Sequence, residues 1–104
     1  MLNVKFLNMK KIVLVTGATS GIGEACARVF ARGGYDVIVT GRRAERLEAL
    51  RKELETLGAA VKTLQFDVRD AEAAKNALAS LDDRWKQVDV LVNNAGLALG
   101  LEKE

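Results

Sequence analysis

Residues 16–23 read Thr-Gly-Ala-Thr-Ser-Gly-Ile-Gly and follow directly on the apolar run Ile12-Val13-Leu14-Val15. A β-branched strand that gives way to a glycine-rich turn and then to a helix places an anion at the helix N-terminus. The first-turn N–H groups there have no intrahelical partner and carry the positive end of the helix dipole. The three glycines have separate jobs. Gly17 takes the backbone angles of a tight turn, Gly21 leaves the backbone open to a pyrophosphate, and Gly23 lets the helix pack on the strand it has just left. No Gly-Lys-Ser/Thr follows, which excludes a Walker-type phosphate loop. The bland alternative is an ordinary strand–helix turn without a ligand. Three glycines at this spacing, in this context, weigh against it.

The pattern of strand then helix repeats along the chain. Residues 11–16 are a short, apolar, β-branched segment, as a buried parallel strand requires. Residues 22–32 read as a helix whose core face carries Ile22, Cys26, Val29, Phe30 and Gly33, with Gly33-Gly34 as its stop. Residues 36–40 form a second strand. Over residues 44–57 a stripe of Leu47, Leu50, Leu54 and Leu57 among Glu and Arg marks an amphipathic helix ended by Gly58. A third strand spans 61–66. Asp70 is placed to cap a helix through about residue 81, with Ala74, Ala77, Leu78 and Leu81 on its core face, and residues 88–92 form a fourth strand. Alternation with short turns implies βαβ crossovers and a parallel sheet. The expected fold class is therefore α/β: a partial doubly wound, Rossmann-like sheet of four strands in the order 3-2-1-4 with three helices.

At 104 residues the chain has room for one small domain. Met9-Lys10-Lys11 reads as a second start. Residues 1–8 are therefore expected to be an N-terminal extension, and residues 9–104 the N-terminal part of a nucleotide-binding domain. A net charge of +2 gives no reason to expect a nucleic-acid or acidic-lipid partner. No apolar run is long enough for a membrane span. The single cysteine, Cys26, excludes an intrachain disulfide and is expected to be a small buried helix residue. No metal-ligand pattern stands out, no export signal is evident, and the expected location is the cytoplasm.

The strand ends carry the remaining chemistry. An acid about 20 residues past the glycines would bind the ribose 2′-hydroxyl of NAD, whereas a nearby Arg accommodates the 2′-phosphate of NADP. The second strand ends Thr40-Gly41-Arg42-Arg43 with no acid at its tip, and Asp36 stands at the wrong end. A guanidinium is always charged and offers a fork of donors suited to phosphate. NADP is favoured, with a merely solvated role left open for both arginines, Arg43 especially. Asp67-Val68 ends the third strand. Its carboxylate can accept from the adenine amino group while Val68 packs by the ring, or Asp67 can simply cap the next turn. Asn93-Asn94-Ala95-Gly96 ends the fourth strand, where small residues and amides leave room beside a cofactor.

Taken together, Thr16-Gly17-x-x-x-Gly21-x-Gly23, Asp67-Val68 and Asn93-Asn94-Ala95-Gly96 resemble the short-chain dehydrogenase/reductase family across residues 9–102. Further segments resemble its NADP-dependent 3-hydroxy acid dehydrogenases: Thr40-Gly41-Arg42-Arg43 with Glu45-Arg46-Leu47, Leu78-Ala79-Ser80-Leu81, Trp85, and residues 94–100. The resemblance implies an oxidoreductase that moves hydride between NADP(H) and a small alcohol or carbonyl compound, such as serine or another 3-hydroxy acid. It implies that Gly17, Ser20, Gly21, Ile22 and Gly23 contact pyrophosphate and ribose. Arg42 and Arg43 would hold the 2′-phosphate, Asp67 and Val68 the adenine, and Asn94, Ala95 and Gly96 the adenosine ribose side. Asn93 would brace the sheet.

The chain departs from the family pattern in one decisive respect. The family's proton transfer uses a Tyr with a Lys four residues on, a substrate-orienting Ser and a relay Asn. The one tyrosine here is Tyr35, and the residue four on is Val39. No catalytic residue is assigned, and the 104 residues alone are expected to be inactive. In the family the fourth strand is interior, whereas here it would be an exposed apolar edge. Marginal stability or self-association, as a homo-oligomer, is the expected consequence. The rival readings are a non-catalytic NADP-binding or assembly module and an inert truncated fragment.

Overall fold

The structure, a computed structural model, describes residues 10–95. Four parallel strands, β1 (Ile12–Thr16), β2 (Asp36–Gly41), β3 (Val61–Gln65) and β4 (Val90–Asn93), lie in the order β3-β2-β1-β4. They alternate with helices α1 (Gly21–Arg32), α2 (Ala44–Thr56) and α3 (Ala71–Ala79). Val13 pairs with Val37 on one side and Val90 on the other, so β1 is central. The expected sheet order and element types are those observed.

Strand side chains alternate between two cores, as the period of two requires. Val13, Val15, Val37 and Val39 pack with Ala27 and Ala31 of α1 and with Leu47, Leu50 and Leu54 of α2. On the other face Ile12, Leu14 and Ile38 pack with Leu64, Phe66, Ala74 and Leu81. Each fully buried Leu, Ile or Val stabilises the fold by about 1.5–3 kcal/mol relative to exposure, so the central strands β1 and β2 anchor the domain. Asp70 caps α3 by accepting from the Ala73 N–H.

Three expectations need correction. The buried face of α1 is Gly23, Ala27 and Ala31, while Ile22 and Val29 are 71% and 64% exposed. At Gly23 the reason is close approach to the Gly17 carbonyl, while Ala27 and Ala31 pack on the valines of β1 and β2, and Cys26, expected to be buried, is half-buried. β4 begins at Val90, because Asp89 is used otherwise: its Oδ2 accepts from the Ile12 N–H at 2.8 Å and its own N–H donates to the Ile12 carbonyl. α3 ends at Ala79, where the Ser80 N–H caps the last carbonyls. Residues 1–8, Gly96 and the 97–100 segment lie outside the described residues.

At the strand N-termini the polar groups are structural. Asp36, 3% exposed, accepts from the Ala60 N–H at 2.8 Å and pairs with Arg84. Tyr35 packs edge-to-face on Phe30, 4.9 Å between ring centroids.

Candidate functional site

The strand C-termini meet at the glycine turn. Gly17 has φ +61°, a left-handed conformation, and a Cβ there would stand 3.2 Å from Asn94 Nδ2 and 3.3 Å from Ala95 Cβ. The Ala18 N–H donates to the Thr40 carbonyl at 2.9 Å, which ties the turn to β2. Ser20 is the N-cap of α1: its Oγ accepts from the Gly23 N–H at 3.2 Å. That hydroxyl also donates to the Gly17 carbonyl at 3.0 Å and accepts from Asn94 Nδ2 at 2.8 Å. With one proton and two lone pairs, it has no capacity left over.

The other two glycines stand in opposite surroundings. A Cβ on Gly23 would lie 2.2 Å from the Gly17 carbonyl oxygen and 2.9 Å from Ala18 Cα. A Cβ on Gly21 would meet nothing within 4 Å. The first-turn N–H groups of Gly21 and Ile22 find no acceptor among the described residues, whereas those of Gly23 and Glu24 go to Ser20. Open space thus lies over two free donors at the positive end of a helix.

Beneath the turn, Thr16 and the end of β4 form a brace. The buried Thr16 hydroxyl donates to Asn93 Oδ1 at 2.9 Å and accepts from the Ala95 N–H at 3.1 Å. Asn94 Nδ2 also donates to the Gly17 carbonyl at 3.1 Å. Asn93 and Asn94 therefore fix the turn from below.

The far rim comes from β2 and β3. The Phe66 N–H donates to the Gly41 carbonyl at 3.0 Å, and Gln65 Nε2 donates to the Arg42 carbonyl at 3.1 Å, which sets where Arg42 starts. The Arg42 side chain is exposed and forms no ion pair among the described residues. Asp67 is engaged by its neighbour two residues on. Oδ1 accepts from the Arg69 N–H at 2.9 Å and from Arg69 Nε at 3.1 Å, and Oδ2 accepts from Arg69 Nη2 at 2.8 Å. These bonds, with the positive charges of Arg69 and Arg42, hold the Asp67 carboxyl well below the usual carboxylate range. The same pair raises the Arg69 guanidinium.

A groove of 380 Å³ brings together Gly17, Arg42, Asp67, Val68 and Ala95, with Thr19, Gly41 and Arg69 completing its wall. Ser20, Gly21, Ile22, Gly23 and Asn94 belong to the adjoining turn rather than to the groove lining, and Arg43 sits outside as the N-cap of α2. Arg69 is the residue that sequence reasoning missed. Its signal was local: an Asp followed two residues later by an Arg, just past a strand end. A larger hollow of 510 Å³ lies between α3 and β4, lined by Leu14, Leu78, Leu81, Val88 and Leu91. It is apolar and remote from the free donors, so the smaller groove is the better candidate. Among the described residues no three His, Cys, Asp or Glu side chains group as metal ligands. No helix of the described residues is long and apolar enough to cross a membrane.

The sequence profile of the family described as short chain dehydrogenase matches residues 11–104. The chain is 59% identical over 91 residues to the NADP-dependent 3-hydroxy acid dehydrogenase YdfG of Salmonella typhi, covering 88% of this chain and 36% of that protein. It resembles the crystal structure of serine dehydrogenase from Escherichia coli with a TM-score of 0.74 at 53% identity, over 85% of this chain and 39% of that one. The closed form of serine dehydrogenase complexed with NADP+ superposes with a TM-score of 0.72 at 51% identity, over 80% of this chain and 32% of that one. The chain thus spans about a third of the length of the relatives it matches.

Proposed function

This chain belongs to the short-chain dehydrogenase family, and from that membership we propose that it binds NADP(H) for an oxidoreductase acting on a small hydroxy or carbonyl compound. The observation that carries the reading is the turn itself: the Gly21 and Ile22 N–H groups find no acceptor among the described residues, a Cβ on Gly21 would meet open space, and the adjoining groove is lined by Gly17 and by Arg42, which has no ion pair among the described residues. The fit is chemical. Donors at a helix N-terminus suit a pyrophosphate, and an always-charged fork suits a 2′-phosphate.

In this reading the Gly21 and Ile22 N–H groups hold the pyrophosphate, with Gly17, Ser20 and Gly23 shaping the turn. Arg42, assisted by Arg43, holds the 2′-phosphate. Asp67 accepts from the adenine amino group, Val68 packs by the ring, and Asn94, Ala95 and Gly96 border the ribose. When bound, the nicotinamide supplies or takes up hydride. Residues 9–104 act as the N-terminal, cofactor-holding part of the domain, with 1–8 as an extension. The substrate reading, a small 3-hydroxy acid such as serine, rests on the names of the relatives. Self-association through the apolar edge at β4 fits the sequence of that strand, and sedimentation showing only monomer at high concentration would remove that part.

The 104 residues contain no Tyr-x-x-x-Lys, so they are assigned binding and no proton-transfer step. Titration with NADPH, followed by its fluorescence, tests the reading. Saturable binding that is tighter for NADPH than for NADH, without turnover of serine, is the expected result. Failure to bind either nucleotide refutes it. Turnover by the chain alone would place catalytic groups here after all.

A further inference from the structure

Three features outside the main reading stand out. The apolar hollow beside β4 has nothing in the structure to say what covers it. The Asp36–Arg84 pair is consumed in holding strand ends together. The Asp67–Arg69 pair, however, lines the groove itself.

We infer that Arg69 is a positioning residue: it orients Asp67 so that this carboxylate keeps a single open acceptor site, which reads the 6-amino group of a purine. The inference rests on the NADP(H) reading above, in which Asp67 meets the adenine, and extends it to Arg69.

The geometry is a count of acceptor sites. A carboxylate offers about four. Arg69 fills three: its backbone N–H and Nε on Oδ1, and its Nη2 on Oδ2. One site remains, on Oδ2. The Arg69 fork is planar and its backbone N–H also bonds the carboxylate, so the carboxylate plane is set from two directions. The side chain of Arg69 is 76% exposed and that of Asp67 34%. The pair is therefore a surface device with no load from the core, and it stands in the wall of the groove.

A carboxylate held ionised accepts and never donates. Adenine presents an amino donor at position 6 and satisfies it. Hypoxanthine presents an oxygen there, and two acceptors would face each other. Without Arg69 the Asp67 side chain is free to rotate away, its open acceptor site is no longer aimed, and the distinction fades.

The test is the ratio of dissociation constants for NADPH and its hypoxanthine analogue, measured on the wild-type chain and on Arg69→Ala and Arg69→Lys. The wild type is expected to prefer NADPH by about tenfold or more. Arg69→Ala is expected to reduce that preference to about twofold, and Arg69→Lys to an intermediate value, because lysine keeps the charge without the fork. The ratio of NADPH to NADH affinity should not change. An unchanged purine ratio overturns the inference. Equal weakening of both purines would mean that Arg69 stacks on the base, and a loss confined to NADPH over NADH would mean that it grips the 2′-phosphate; either outcome overturns it. If the wild type binds neither nucleotide, the cofactor reading falls first and takes this inference with it.

Discussion

Gly21 and Gly23 are two residues apart, and the structure assigns them opposite sensitivities to one methyl group. A Cβ on Gly23 would stand 2.2 Å from the Gly17 carbonyl oxygen, and the next nearest atoms, at 2.9 Å, are also backbone. Carbon and oxygen rest no closer than about 3.3 Å, so the first turn of α1 would have to retreat by about 1 Å. It cannot do so freely. The Gly23 and Glu24 N–H groups are bonded to Ser20, and Ala27 and Ala31 are packed in the core. Overpacking costs about 1–3 kcal/mol, and colliding backbone places Gly23→Ala at the upper end. Alanine's better helix propensity returns at most about 1 kcal/mol. The net loss is about 2 kcal/mol, against the 5–15 kcal/mol typical of a domain. In urea, with a slope of about 1–3 kcal/mol per molar, the midpoint should fall by about 1 M.

Gly21→Ala should do the reverse. Its Cβ meets nothing within 4 Å and its φ is not positive, so stability should hold or rise by up to about 1 kcal/mol. The new methyl occupies the space that a pyrophosphate needs, and NADPH affinity should drop at least about tenfold, or 1.4 kcal/mol. Circular dichroism in urea and NADPH fluorescence titration, run on both variants, give four numbers. Gly23→Ala unfolding with the wild type would refute the packing argument. Gly21→Ala binding like the wild type would refute the placement of the phosphate.

Arg42→Ala should weaken NADPH about tenfold or more while changing NADH little, since a charge-assisted bond to phosphate is worth about 1.5–3 kcal/mol. Equal losses for both nucleotides in the same titration would contradict a 2′-phosphate role. Thr40 is 1% exposed and its hydroxyl has no hydrogen-bond partner among the described residues. Thr40→Val should therefore stabilise the fold by about 1 kcal/mol in urea unfolding, and a lower midpoint would show that the hydroxyl is satisfied. Glu48, Glu53 and Asp67 are held below the ordinary carboxylate range by bonds to Arg51, Arg28 and Arg69 respectively. A depressed folded-state pKa contributes stability that is present above the unfolded value, near 4, and drains away as pH falls through the folded value. The urea midpoint should be level from about pH 7 to 5 and fall below about pH 4, less steeply in high salt. A midpoint that stays level down to pH 3 would count against these pairs.

The sheet order was legible because each strand carries a compact β-branched run and each turn its glycine or cap. The face of α1 was not. Hydrophobic periodicity rewards large side chains, so it selected Ile22 and Val29. The buried face is instead Gly23, where close approach admits no side chain, with Ala27 and Ala31 packed on the sheet. The candidate site was legible at its corners, at Gly17, Gly21, Arg42 and Asp67, because residue type and strand-end position suffice there. The bonds between those corners were not. Nothing in a list of residues reveals that Ser20 is fully committed to Gly17, Gly23 and Asn94, or that Arg69 turns back on Asp67.

Three aspartates differ in what the fold leaves them free to do at the two poles of this sheet. At the strand N-termini, Asp36 and Asp89 each accept a backbone N–H at 2.8 Å, from Ala60 and Ile12 respectively. Asp36 also pairs with Arg84 and stands 4.0 Å from Lys10. These carboxylates complete hydrogen bonds that the chain itself would otherwise lack, and removing Asp89 would leave the N–H of buried Ile12 without its partner. At the strand C-termini, the Asp67 carboxylate is bonded only by Arg69, two residues on, among the described residues, and one acceptor site stays open. The same accounting holds for the donors. Gly23 and Glu24 are satisfied by Ser20, whereas Gly21, Ile22 and Arg42 find no such partner among the described residues. Recognition needs groups the fold has left over, and Asp67, Gly21, Ile22 and Arg42 supply them around the glycine turn. On the proposed NADP(H) reading the glycine turn is therefore necessary but not sufficient: specificity for one nucleotide over another would rest with Arg42 and with Arg69, which holds Asp67 in place.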